Sequence, residues 1–175
     1  FRQGWVTPSY RSASGDEAFA LDLAAAILGD GPTSRLYKAV VVEAEVAAHV
    51  QVYYWGSLMD AGLMQVAASP RPGVSLETLE AALDRALLQF LETGPTEAEL
   101  VRARTRLVAD TIYARDSQSS LAQMFGASLA VGESVADVLA WPARLESVSG
   151  EAVLAAARRW LQPSRAVTGL LTPAG

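Results

Sequence analysis

The 175-residue chain has no cysteine and a single histidine, His49. The first absence excludes a disulfide scaffold, a thiolate-held zinc or iron–sulfur centre and a cysteine nucleophile. The second excludes any site that needs two or three histidines from this chain. Charge is also sparse: 14 Lys and Arg against 19 Asp and Glu make up 19% of the residues and leave a net charge of -5. An acidic chain with no basic patch argues against a nucleic-acid partner. No apolar run approaches the ~18 residues of a membrane-spanning helix, so no membrane span is expected.

What is present is apolar. The hydrophobic fraction is 51%, too high for a disordered chain. The length suits one domain, and a chain of this size buries roughly 70% of its unfolded surface. Residue 1 is Phe rather than Met, so a fragment or processed product is expected. The first ten residues have neither the basic start nor the apolar run of a signal peptide.

Periodicity divides the chain into elements. Gly4–Thr7 reads as extended and is stopped by Pro8. A helix capped by Ser14 or Asp16 runs to about Leu28, with Ala18, Leu21, Ala25 and Leu28 at helical spacing. Gly29-Asp30-Gly31-Pro32 ends it, and Thr33 or Ser34 caps a shorter helix to about Glu43. Val46–Ser57, rich in valine and aromatics, and Asp60–Ser69 read as a strand pair. After Pro70-Arg71-Pro72-Gly73, Ser75 caps a helix whose stripe is Leu76, Leu79, Leu83, Ala86, Leu87, Phe90 and Leu91. Thr96 and Glu99 form a capping box for the next helix, which reaches about Arg115. Leu121–Val131 and Ser134–Trp141 read as helices, the latter stopped by Pro142. Ser149 caps a last helix to Leu161, and Arg165–Thr172 reads as a final strand. Runs of like elements, not strict alternation, predict an α+β fold: a mostly antiparallel sheet with helices on one face.

Few residues nominate chemistry. His49 lies in a predicted strand among Val46, Val50 and Val52, with no partner at fixed spacing, and reads as structural. No Gly-x-Ser-x-Gly elbow occurs. Gly29–Ser34 is glycine-rich before a helix, but it follows a helix and lacks the Lys-Ser/Thr ending of a phosphate loop, so it reads as a helix stop. Glu97 and Glu99 are explained by capping, and Glu43 and Glu45 by a solvated turn. Arg102, Arg104 and Arg106 diverge around a helix. In Tyr53-Tyr54-Trp55, alternation puts Tyr53 and Trp55 on one sheet face and Tyr54 on the other.

Gly29-Asp30-Gly31-Pro32-Thr33-Ser34-Arg35-Leu36-Tyr37 resembles the Gly-x-x-Ser-Arg-Leu-Tyr segment of the pitrilysin/insulinase zinc metallopeptidases, where it belongs to the half-domain without zinc. Ala68–Gly73 before a helix, Gly94-Pro95-Thr96-Glu97-Ala98-Glu99-Leu100 with Ala103-Arg104, and Ala156–Leu161 before a terminal strand match in the same order over nearly the whole chain. The resemblance implies that residues 1–175 form one non-catalytic C-terminal half-domain of LuxS/processing-peptidase-like fold. The family's His-x-x-Glu-His is absent here, so the chain alone is expected to be inactive and to hold no cofactor, with zinc in an N-terminal half. The implied role is a substrate chamber and assembly surface opposite that half. A structural subunit of a relative that has lost peptidase activity is the alternative.

The implied partners are the zinc-bearing N-terminal half-domain, a peptide substrate and a homo- or hetero-dimer partner; the implied parent is bacterial, periplasmic or cytoplasmic. Many members carry an arginine and, seven residues later, a tyrosine that contact substrate near the zinc. Those positions are Val41 and Ala48 here, a departure that points to a hetero-partner. Arg35 is the candidate substrate-binding residue, against a structural role paired with a carboxylate.

Overall fold

Alternation along three strands decides the layering. In β1 (Arg2–Pro8) the buried side chains include Gln3, Trp5 and Thr7; in β3 (Ala61–Pro70) they are Met64, Val66 and Ala68; in β2 (Ala47–Trp55) they include Val50 and Val52. A period of two puts each set on one face of the pleat. With the short β4 (Val167–Gly169) these strands form one antiparallel sheet in the order β2-β3-β1-β4. The structure is a computed structural model that describes residues 1–114 and 116–172.

The helices all follow from that buried face. α1 (Glu17–Gly29) lies against the sheet and is buried nearly all round, from Ala18 to Gly29. Its closest approach is at Gly29: a Cβ there would stand 2.3 Å from the Val52 backbone nitrogen, so only glycine lets the helix end sit on β2. α2 (Leu76–Thr93) buries Leu79, Leu83, Leu87, Phe90 and Leu91 of the predicted stripe, with Leu76 and Ala86 half-buried beside them, behind its Ser75 cap. α3 (Glu97–Ala114) starts at the Thr96–Glu99 capping box, in which each residue's side chain accepts from the other's backbone N–H at 2.8 and 3.3 Å. α6 (Gly150–Trp160) buries Val153, Ala156 and Ala157 and is capped by Ser149. The Trp5 indole donates to the Gln162 carbonyl at 3.0 Å, fastening β1 to the segment after α6.

Three expectations differ. The helix after Ser34 is wound as a π-helix over Tyr37–Glu43, with Ala44 N–H donating to Ala39 carbonyl five residues back. Pro142 does not stop the fifth helix: α5 runs Val135–Ser147 straight through it. Its N-terminus is fixed by a Ser134–Asp137 capping box and its far end by the buried Leu145, and these outweigh the one backbone bond proline deletes. The final strand covers only Val167–Gly169, because Pro163–Arg165 forms a 3-10 turn and β1 offers only Arg2, Gln3 and Gly4 as partners. α4 (Gln118–Ala130), capped by Ser117, meets α5 at 104°, and among the described residues no single helix is long and apolar enough to cross a membrane.

Candidate functional site: the uncovered sheet face

The face of the sheet away from the helices carries the other half of each alternation. Register places Trp55 opposite Leu63 and Leu63 opposite Val6, an apolar row across three strands. The adjoining row runs Tyr53, Gln65, Gly4 and Val167. Val6 and Val167 are 68% and 78% exposed. Tyr53 and Trp55 stack with ring centroids 5.5 Å apart and planes 20° apart, on the same face as the alternation predicts. The Tyr53 hydroxyl donates to Gln51, and Arg2 donates to Gln65 at 3.3 Å. No carboxylate lies on these rows. The surface therefore offers apolar and amide groups and the Arg2 guanidinium, with β2 as a nine-residue edge strand beside it.

Arg35 lies elsewhere, between α1 and the α2–α3 junction. Its Nε and Nη2 grip the two oxygens of Glu99 at 2.7 and 2.8 Å, Nη2 also donates to the Gly94 carbonyl at 2.7 Å, and Nη1 to Thr93 at 3.0 Å. The guanidinium also stands 5.3 Å from the centre of the Phe90 ring. Partial burial alone would raise the Glu99 carboxyl. The hydrogen bonds from Arg35 and Thr96, with the Arg35 charge, outweigh it and hold the group down at about 2. Val41, at the position of the family's arginine, is buried, and its carbonyl accepts from Arg71 at 2.8 Å. Ala48 is exposed where the β2–β3 register slips between Ala47 and His49, and His49 is exposed opposite Ser69.

The glycine-rich turn is internally satisfied. Ser34 donates to the Gly31 carbonyl at 2.7 Å, Asp30 pairs with Arg106 at 2.8 Å, and the cleft beside them encloses only ≈ 40 Å³. That space is too small for a nucleotide. Arg104 donates to the Val148 carbonyl, so the three arginines of α3 do diverge.

Sequence reasoning missed a polar cluster at the end of β2. The Tyr10 hydroxyl donates to Asp22 of α1 and accepts from the Trp141 indole of α5 at 2.7 Å. Burial raises the Asp22 carboxyl to about 7 against the hydrogen bonds from Tyr10 and Trp141, and the negative charge of Glu133 adds to the rise. Burial likewise raises Tyr10 and Tyr54, with the Asp22 charge adding to both. One signal was available: Asp22 is the only charged residue between Glu17 and Asp30 in an otherwise apolar helix. Its partners, 12 and 119 positions away, leave no mark in the sequence pattern.

Among the described residues no three His, Cys, Asp or Glu side chains are placed to hold a metal ion.

Residues 2–107 match the family model described as the peptidase M16 inactive domain. No curated protein matches the sequence. Solved structures do. The inactive peptidase domain of a protein assigned as a zinc protease from Bordetella parapertussis is similar at 24% identity and TM-score 0.86, covering 99% of this chain and 91% of that one. A Bordetella pertussis protein with the same assignment is similar at 24% identity and TM-score 0.85, covering 99% and 93%. A peptidase M16 inactive domain from Pseudomonas fluorescens is similar at 19% identity and TM-score 0.78; there the match covers 98% of this chain but 42% of the other. At these identities the likeness establishes the fold.

Proposed function

The chain belongs to the peptidase M16 inactive-domain family, and from that premise we propose that residues 1–175 act as one non-catalytic half-domain of a zinc metallopeptidase-like protein, its open sheet face forming a wall of the substrate chamber. The observation that carries this reading is the uncovered face itself. A half-buried antiparallel sheet ordinarily turns polar side chains to water. Here one row is Trp55, Leu63 and Val6, and the next carries Tyr53 and Val167. A peptide lying there would bury these groups and could add as a strand to the β2 edge, where backbone bonds give affinity without a side-chain signature. Zinc, the general base and the chemistry would come from an N-terminal half-domain facing this wall, in the same polypeptide or in a hetero-dimer partner.

The exposed apolar side chains of Ile112, Tyr113, Val135 and Leu139 on the helical side support an assembly surface there. Arg35, with its donors turned to Glu99, Gly94 and Thr93, is assigned as the brace of the α2–α3 junction and not as a substrate contact. The test is a Tyr53→Ala/Trp55→Ala variant assembled with its zinc-bearing half. Losing two aromatic contacts of about 0.5–1.5 kcal/mol each should weaken peptide binding roughly tenfold at unchanged zinc content and thermal midpoint. Unaltered peptide affinity would remove the chamber-wall role from this face.

A further inference from the structure

The cleft at the end of β2 carries chemistry that the chamber wall does not use. Tyr10, Asp22, Tyr54, Trp55, Gly56 and Ser57 border a space of ≈ 280 Å³. Three of the six are aromatic. The hydroxyl of Tyr54 is spent on the Pro8 carbonyl at 2.7 Å and that of Tyr10 on Asp22, which leaves ring surface as lining. The two tyrosine rings stand edge to face with centroids 6.3 Å apart. Gly56 keeps the cleft open: a Cβ there would lie 2.8 Å from the Tyr54 ring and 2.9 Å from that of Tyr10.

Within this aromatic lining sits one carboxylate whose charge is not balanced. Tyr10 donates to Asp22, the Trp141 indole is its second hydrogen-bonding neighbour, and both are uncharged donors. The groups that face it are Tyr10 from the loop after β1, Tyr54 from β2, Trp141 from α5 and Glu133 from the loop before α5. None is a cation. The nearby arginines are engaged elsewhere: Arg144 with Asp16 at 2.8 Å, Arg159 with Glu17 at 3.0 Å, and Arg11 with the Val131 carbonyl at 2.9 Å. A partly buried carboxylate is costly without a counter-charge. Aromatic walls attract cations as well.

We propose that this cleft binds a protonated amine or guanidinium, the side chain of a lysine or arginine in a bound peptide. The assignment rests on the chamber-wall reading for its peptide, because the cleft opens at the end of the β2 edge along which such a peptide would run. It adds a preference for a cation that the sheet face, which carries the Arg2 guanidinium and no carboxylate on its two rows, does not supply. Cation binding needs the carboxylate, and burial raises Asp22 to about 7. Affinity should therefore fall as pH drops through 7, by about tenfold between pH 8 and pH 6, although lysine stays protonated throughout.

The test has two arms. In the first, N-acetyl-lysine amide and its neutral counterpart N-acetyl-norleucine amide are titrated into the chain, with backbone amide resonances of Gly56 and Ser57 as the readout. The expected result is a shift with the lysine probe only, tenfold weaker at pH 6 than at pH 8, and at least tenfold weaker in Asp22→Asn at unchanged thermal midpoint. Equal binding of the two probes, or no change with pH in the unmodified chain, would overturn the proposal even if the variant fails to fold. In the second arm, a lysine-containing peptide and its norleucine analogue are bound to the assembly with the zinc-bearing half. Equal affinity for both peptides defeats the cation cleft and leaves the chamber wall standing. Binding of the free lysine probe with no binding of either peptide defeats the chamber wall and leaves the cleft.

Discussion

Cutting the Arg35–Glu99 tie tests whether Arg35 holds the fold or serves a ligand. The guanidinium makes two bonds to the carboxylate, one to the Gly94 carbonyl and one to Thr93, so Arg35→Ala removes four bonds at once. Holding Glu99 at about 2 instead of 4.5 corresponds to about 3 kcal/mol at 1.36 kcal/mol per tenfold. The Thr96 hydrogen bonds supply part of that lowering and survive the substitution, and the side chains remain 19% and 15% exposed, so water screens the pair; together these reduce the Arg35 share to about 2 kcal/mol. The sign follows from the direction of the shift. A lowered carboxyl stabilises the fold fully above its unfolded value of 4.5 and loses that contribution as pH falls towards about 2. Urea unfolding followed by circular dichroism should give a loss of about 2–3 kcal/mol for Arg35→Ala at pH 7. The gap to the unmodified chain should narrow as pH falls from 4.5 to 2, leaving the part owed to Gly94 and Thr93. A double-mutant cycle with Glu99→Gln should return a coupling above ~1 kcal/mol. A coupling near zero, or a gap constant with pH, would refute the brace and reopen Arg35 as a ligand contact.

Two further perturbations probe how the fold positions the sheet. Gly29→Ala would force a Cβ to within 2.3 Å of the Val52 backbone and should cost about 3 kcal/mol in urea unfolding, since neither α1 nor β2 can move without disturbing the core. Pro142→Ala restores a backbone donor inside α5 and should raise the thermal midpoint, by up to ~3 kcal/mol of helix stability; a lower midpoint would mean the proline ring contributes packing that outweighs the missing bond.

The sequence was most readable where local chemistry and tertiary need coincide. Ser75, Thr96 with Glu99, and Ser149 each precede a helix and each caps it, because an N-cap satisfies backbone donors within three residues of itself, whereas Asp16 stands at the cap of α1 without a side-chain bond. The stripe of α2 was legible for the same reason, as a pattern repeated within one element. Pro142 misled because its local cost is real and is offset from outside the motif, by the buried Leu145 and by Arg144, which pairs with Asp16 and lies 4.2 Å from the centre of the Phe19 ring.

The site divides along the same line. Alternation alone predicted Tyr53 and Trp55 on one face, since pleating is local. Which face stays uncovered is decided by where α1 lies, and that depends on Gly29 meeting Val52, 23 positions on. The Tyr10–Asp22–Trp141 cluster lies further still from local logic: three elements contribute one residue each, and none repeats. Asp22 nevertheless interrupts the apolar surface of the most buried helix, where a charge costs stability unless something outside the helix uses it. Tyr10 and Trp141 hold it, and neither cancels its charge. A lone carboxylate in a buried helix, set at the end of an edge strand that carries stacked aromatics, is what a site for a basic side chain requires, and stability alone gives no reason to keep it.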